Sequence, residues 1–356
     1  MSGPVAKRRR QTVSIPRCPC SHGAGTLAIG SACSGWCSEL FAARKLNLLF
    51  EACFACDICP TVTRLTQALW PHHAYYNDMM GSDFMNTSPS LDLFLCGAPC
   101  QGFSLQGLGG GLEDERGWLL LQAVAWIQSC APKTFILEQV LGLLVKHADV
   151  MLFVVEELSS LKDNLGRPLY SIEWQVLNPC KHAGVPQNRD RIFIVGIRND
   201  IKRAPLQWPR EMPMRSIQQF VNSRLPAQAL TSWTERENLR KAHEIMLWRG
   251  LNPATGPFVV DVSSGLNVSY MKGCSPCLTR SRAGSGGYYL SWLHRKMSTE
   301  EILLLQGVKM NRAHQGLVTP RQLRQIAGNA ISVDVLAKLM HNVLEATRLT
   351  IVRRGS

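Results

Sequence analysis

Short apolar runs alternate with amphipathic stretches through the first half of this chain, and that alternation limits its fold more than any single residue does. TLAIGSAC (26–33) reads as a strand running into a turn, and SELFAARKL (38–46) as the helix after it. LFEACFAC (49–56) is a second strand, closed by Asp57 before a helix from Thr61 to Trp70. The pattern repeats with LDLFLC (91–96), a helix through WLLLQAVAWIQSC (118–130) and the strand TFILEQV (134–140). Strand–helix–strand repetition of this kind predicts an α/β fold: a doubly wound, Rossmann-like, mainly parallel sheet with helices on both faces. A helix at 149–162 and the strands YSIEWQVLN (170–178) and RIFIVGI (191–197) follow, the pair reading as an antiparallel hairpin at the sheet's edge. From Asn199 the pattern dissolves into shorter polar pieces, and ISVDVLAKLMHNVLEA (331–346) has the period of a helix that packs back on the core. The predicted organisation is a disordered basic tail at 1–24, a main α/β domain at 25–199, a smaller inserted region at 200–320, and a returning segment at 321–350.

The 356 residues, 46% of them hydrophobic, suffice for a full α/β core. The net charge of +13 is expected of a protein that neutralises phosphates, although many basic proteins bind no nucleic acid. No run approaches the roughly 18 apolar residues of a membrane span, and MSGPVAKRRRQ is not a secretory signal. The expectation is an intracellular protein whose thirteen cysteines are mostly free thiols. Lys7 to Arg10 reads either as a nuclear-import signal, and hence a nuclear protein, or as a solvated tail.

The run LDLFLCGAPCQGFSLQGLGGG (91–111) ends an apolar strand on Pro99-Cys100-Gln101 and continues into a glycine-rich loop. A cysteine at the carboxyl end of a strand in an open α/β sheet sits where ligands bind, so Cys100 is placed as a nucleophile would be. Most free cysteines are simply buried, and the local sequence leaves the two readings at parity. Three spacings are ones that metal sites use: Cys18-x-Cys20-x-His22, Cys53-x2-Cys56-x2-Cys59 and Cys274-x2-Cys277. The central set spans a strand-to-helix junction whose residues face different ways, and no metal is expected.

The rest of the chain breaks the tie, because GAPCQGFS (97–104) resembles the catalytic motif of the cytosine-C5 DNA methyltransferases. LEQV (137–140) resembles that family's glutamate motif, QNRDR (187–191) its Gln-x-Arg-x-Arg motif, and QIAGNAISVDV (325–335) its C-terminal Gly-Asn motif. ACSGWCSEL (32–40) stands where the family has its glycine-rich cofactor loop, and FACDICP (54–60) where an acidic residue ends the second strand. The resemblance implies a methyltransferase sheet with an inserted target-recognition domain, S-adenosylmethionine as methyl donor and DNA as substrate. It implies that Cys100, beside Gln101, adds to carbon 6 of cytosine, because carbon 5 is a weak nucleophile until the ring becomes an enamine. Glu138 would hydrogen-bond N3 and the exocyclic amine, Arg189 would face the carbonyl, and Arg189 or Arg191 would lower the Cys100 pKa. Cys33, Gly35, Trp36, Asp57, Ile58, Asp78 and Asn329 are the implied cofactor residues, with Asp57 on the ribose hydroxyls and Asp78 at the adenine.

The chain also departs from the family. Cys33 and Cys37 stand where the cofactor loop has an aromatic residue and a second glycine, so Trp36 becomes the candidate for the adenine-stacking face. Gln139 replaces an asparagine, which keeps the amide and adds a methylene. Residues 200–250 carry nine Lys or Arg with Trp208, Trp233 and Trp248 interleaved, a mixture suited to phosphate contacts and stacking. Arg236, Arg240 and Lys241 are the cations expected to touch DNA. The competing expectations are the same chemistry on transfer RNA, and a catalytically weak homologue that binds nucleic acid or a partner; context-dependent targeting of the enzyme is expected to need a targeting partner protein or a longer natural chain.

Overall fold

The computed structural model describes residues 25–87, 90–99, 118–263, 269–311, 314, 316–349 and 352. The basic tail with Cys18, Cys20 and His22, and the glycine-rich stretch with Cys100 and Gln101, lie outside these residues.

Seven strands form the larger sheet: β1 (Leu27–Ala32), β2 (Phe50–Cys56), β3 (Ala74–Tyr76), β4 (Leu93–Cys96), β5 (Thr134–Val140), β6 (Tyr170–Leu177) and β7 (Arg191–Arg198). Their spatial order is β3-β2-β1-β4-β5-β7-β6. The first five are parallel, and β7 runs antiparallel between β5 and β6, so the expected hairpin is present with β6 as its edge. The strand order reverses between β1 and β4, and a crevice at the carboxyl ends of such neighbours is where α/β sheets bind ligands. Small and apolar side chains let β1 lie wholly buried. A Cβ at Gly30 would stand 2.5 Å from the Phe54 ring and 2.8 Å from Leu91, so only glycine fits this close approach.

Side chains alternate between two apolar layers, as the strand period requires. Leu93, Leu95 and Ile136 pack with Trp36, Leu40 and the carboxyl-terminal helix Val333–Glu345. Phe94, Cys96 and Phe135 pack on the opposite face with the helices Trp118–Cys130 and Ala148–Ser160. The returning helix is tied to the helix Ser38–Lys45 by a Lys45–Asp334 ion pair of 2.5 Å.

A second, antiparallel sheet lies inside the 200–320 interval: β8 (Phe258–Asp261), β9 (Ser269–Lys272), β10 (Tyr288–Leu290) and β11 (Arg295–Lys296), in order β11-β10-β8-β9. With the helix Trp233–Trp248 it closes a small core of Leu230, Ala242, Met246, Phe258, Val260, Val262 and Tyr289. Leu278, Tyr288, Leu290 and Ile302 belong instead to the larger core, so β10 joins the two cores, with Tyr289 facing the small one and its neighbours the large one.

Candidate active site at the switch point

Strand β4 delivers Gly97, Ala98 and Pro99 to the crevice, and the chain then enters the undescribed residues that carry Cys100 and Gln101. Two side chains of the neighbouring β5 reach this point. Gln139 donates its amide to the Ala98 carbonyl at 3.0 Å, and its own oxygen accepts from Val140 N at 3.3 Å. A Cβ placed on Gly97 would lie 3.6 Å from Glu138 Oε2, so the Glu138 carboxylate stands at the base of the Pro-Cys loop.

The β5–β7 register brings in an arginine. Val140 pairs with Arg191 and Glu138 with Phe193, which puts Glu138 and Arg191 diagonally on one face. Arg191 Nε lies 3.0 Å from Glu138 Oε1, both side chains being largely buried. Arg191 also donates to the Asp190 carbonyl at 2.7 Å and to Cys277 Sγ at 3.9 Å.

Arg189 is placed differently from the expectation that it faces the substrate. Its buried guanidinium donates to the carbonyls of Gly328 at 3.1 Å, Ala330 at 3.0 Å and Leu278, and to Cys277 Sγ at 3.7 Å. It therefore clamps the Gly-Asn motif and the 277–278 stretch onto the main domain. Gly328 permits this, because a Cβ there would meet the Thr279 carbonyl oxygen at 2.4 Å. Two further members of the clamp were missed in the sequence. Gln187 is fully buried and donates to the Leu305 carbonyl at 2.8 Å, while Asn178 donates to Asn188 Oδ1 at 2.7 Å and Asp190 Oδ1 at 2.8 Å. Gln187 had a signal in its motif; Asn178 had none.

On the cofactor side, Asp57 ends β2 with Oδ2 accepting from Gly35 N and Oδ1 from Cys59 N, each at 2.9 Å. Burial raises its carboxyl pKa, and the two backbone donors oppose that rise. Gly35 has a left-handed φ of 56° and no atom near its Cβ position. Asp57 and Gly35 line a shallow, open cleft with Ser34, Ala55, Thr63, Thr66, Tyr75 and Tyr76. Ile58 stands 77% exposed beside it, offering an apolar face, and Asp78 is exposed with Oδ1 capped by Met80 N at 2.9 Å. Cys33 holds a left-handed φ of 50°, with its sulfur 3.5 Å from Met79 Sδ. Its contact with Cys96 is the largest influence raising its thiol pKa, ahead of burial.

Trp36 corrects the sequence reading. It is fully buried against Phe41, and its indole donates to Ser38 Oγ at 3.0 Å, which in turn donates to the Ile331 carbonyl at 3.0 Å. The indole ties the cofactor loop to the returning segment, and no adenine can stack on it there. Asn329, on that segment, has an exposed side chain between the two residues whose carbonyls Arg189 holds.

The cations of the basic helix Trp233–Trp248 have partners of their own. Arg240 lies between Glu237, at 2.7 Å, and Glu244; Lys241 is 3.8 Å from Glu237; and Arg236 donates to the carbonyls of Leu230 and Thr231. Arg240 and Lys241 share Glu237 and all three cations stay exposed to solvent, while Trp233 and Trp248 project into solvent at the helix ends. Cys53 and Cys56 pack on one face of the main sheet and Cys59 on the other. Among the described residues no group of three or more His, Cys, Asp or Glu is arranged to hold a metal ion, and no helix is long and apolar enough to cross a membrane.

This arrangement has recognisable relatives. The sequence profile of a family described as C-5 cytosine-specific DNA methylase matches residues 33–345. The Type II methyltransferase M.NgoBI of Neisseria gonorrhoeae is 30% identical over 265 residues, 73% of this chain and 76% of that enzyme. M.NgoBV of the same organism is 31% identical over 189 residues, and there the match spans only 44% of the enzyme's length and 53% of this chain. M.NlaIV of Neisseria lactamica is likewise matched over 44% of its length, so the chain spans under half of these two curated relatives. Among solved structures, the Entamoeba histolytica methyltransferase EhMeth superposes with a TM-score of 0.62 at 15% identity, covering 90% of this chain and 98% of that one. A putative DNA modification methyltransferase from an Escherichia coli prophage gives the same TM-score at 16% identity, covering 90% and 99%. At these identities the structures establish the fold alone.

Proposed function

Because the chain belongs to the C-5 cytosine-specific DNA methylase family, we propose that it methylates carbon 5 of cytosine in DNA, with S-adenosylmethionine as donor, Cys100 as nucleophile, and Glu138 with Arg191 holding the target base. The observation that carries this reading is the Glu138–Arg191 pair of 3.0 Å at the base of the Pro-Cys loop. A carboxylate beside a guanidinium is complementary to cytosine's polar edge: the carboxylate accepts from the exocyclic amine and from N3 as N3 takes up a proton, and the guanidinium donates to the carbonyl oxygen. Both stabilise charge that grows on the ring as the Cys100 thiolate adds to carbon 6. This gives Arg191 the role that the sequence offered to Arg189. Glu138 is buried, so the base must leave the helix stack to reach it.

The cofactor-side residues fit an adenosyl group. Asp57 retains lone pairs for a ribose diol, Ile58 offers an apolar face, and Gly35 leaves the loop open for close approach. S-adenosylmethionine would supply there an electrophilic methyl group.

The test is covalent trapping. Wild-type protein incubated with the methyl donor and duplex DNA containing 5-fluorocytosine should form a stable adduct whose cross-linked peptide contains Cys100, and Cys100→Ser should form none. An adduct at another cysteine, or turnover by Cys100→Ser at the wild-type rate, would refute the assignment.

Two further outcomes follow from the placements above. Because the Gln139 amide reaches the Ala98 carbonyl, Gln139→Asn should withdraw it and lower turnover about tenfold, on the scale where a 1 Å misplacement costs about a hundredfold. A faster variant would mean that the longer side chain misplaces the loop. Because Arg236, Arg240 and Lys241 have partners within their helix and its entry turn, replacing all three with alanine should alter the log–log salt slope for duplex binding by less than the roughly 0.9 contributed by one phosphate. A change of two phosphates' worth would restore them as DNA contacts.

A further inference from the structure

A thiol lies between the two arginines of QNRDR. Cys277 Sγ accepts from Arg189 Nη1 at 3.7 Å and from Arg191 Nη2 at 3.9 Å. The arginines lead into β7, whereas Cys277 arrives from the inserted region, between β9 and the helix Arg280–Ser285. Its backbone is fixed on the other side, since the Tyr288 hydroxyl donates to the Cys277 carbonyl at 2.7 Å and accepts from Thr279 N at 3.2 Å. The titratable and charged groups around the sulfur are the two guanidiniums, the Tyr288 hydroxyl behind the main chain, and Glu138 on the far side of Arg191, and the protonated thiol can donate to the Leu278 carbonyl at 3.8 Å. Arg191 is held at both ends, by Glu138 at Nε and by Cys277 at Nη2.

We propose that Cys277 is a positioning residue for base capture: its sulfur braces the Arg189 and Arg191 guanidiniums and so fixes Arg191 against Glu138. This rests on the reading that Glu138 and Arg191 hold the cytosine. The electrostatics agree. Burial is the largest influence on the thiol and pushes its pKa up, yet the combined pull of Arg189 and Arg191 leaves it below the usual value. Cys37, Cys56, Cys130, Cys180 and Cys274 are all raised, with burial foremost. A thiolate accepts charge-assisted bonds from both guanidiniums, whereas a protonated thiol is a weak acceptor. The brace is therefore complete above the depressed thiol pKa and is lost as pH falls through it.

The experiment has two arms on the full chain. In the first, turnover and KM for S-adenosylmethionine are measured across pH for wild type, Cys277→Ala and Cys277→Asp. Cys277→Ala should lower kcat about tenfold with KM for the donor unchanged, and the carboxylate of Cys277→Asp should restore most of the rate and move the acid limb to lower pH. Wild-type rates and an unmoved limb in both variants would overturn the proposal. The second arm needs no methyl transfer: the pH dependence of iodoacetamide alkylation at Cys277, mapped by mass spectrometry, should shift to higher pH in Arg191→Gln. An unshifted midpoint would show that Arg191 does not contact the sulfur. A shifted midpoint in a protein without methyltransferase activity would leave the brace standing and reject the functional reading alone.

Discussion

Glu138→Gln should lower kcat by about 10²- to 10⁴-fold while the protein remains folded, the range expected for a group that moves or shares a proton in the transition state. The substitution is nearly isosteric, and the remaining amide oxygen can still accept from Arg191, so the diagonal contact between β5 and β7 survives. What disappears is the negative charge. A neutral amide cannot favour a proton on the ring nitrogen, and electron density pushed onto the ring by thiolate addition is left without its partner. The check is single-turnover methylation of duplex DNA at saturating donor, with thermal unfolding followed on the same sample. Turnover at the wild-type rate would remove Glu138 from the mechanism. Lost turnover together with a collapsed melting transition would instead mark it as a structural carboxylate.

Arg189→Met should unfold the protein more easily by about 3–5 kcal/mol, the cost of breaking a buried, multiply bonded charge and leaving its acceptors bare. The carbonyls of Leu278, Gly328 and Ala330 would lose a donor in the interior, at the junction of QNRDR, the inserted region and the Gly-Asn motif. Arg189→Lys should lie between wild type and Met, because one ammonium cannot span carbonyls from separate segments as a planar fork does. Urea unfolding of the three proteins tests this. Identical midpoints would show that the clamp contributes nothing net. A methionine variant that kept its stability and lost only turnover would return Arg189 to the substrate.

Local pattern made the scaffold legible. The apolar runs at 27–32, 50–56, 93–96 and 134–140 are strands where the alternation placed them, and the edge hairpin follows because IFIVGI after Arg191 is apolar enough to lie between two neighbours. Roles that depend on side-chain direction were less legible. In QNRDR both arginines have the same composition and differ only in place. Residue 191 opens β7 beside Val140 and shares a face with Glu138, while residue 189 precedes the strand and turns toward the returning segment. Trp36 is similar: the sequence shows an aromatic residue in the cofactor loop, and its packing in the core with an indole bond to Ser38 Oγ turns it away from the cleft. The helix Trp233–Trp248 shows the same limit for charge, since a count of cations does not reveal that Glu237 and Glu244 sit one turn from Arg240 on the same face.

By itself the sequence determined the α/β class, the order of the strands' roles and the family, because these rest on hydrophobic period and on motifs contiguous in the chain. Only the tertiary structure decided which arginine meets Glu138, that Gln139 holds the Ala98 carbonyl, and that Cys277 joins residues 189 and 191 from 86 to 88 positions away. The physical reason is that strand register fixes which side chains share a face, and register is set by pairing between distant segments. A thiol's chemistry likewise depends on the charges folded around it, which no stretch of neighbouring sequence specifies.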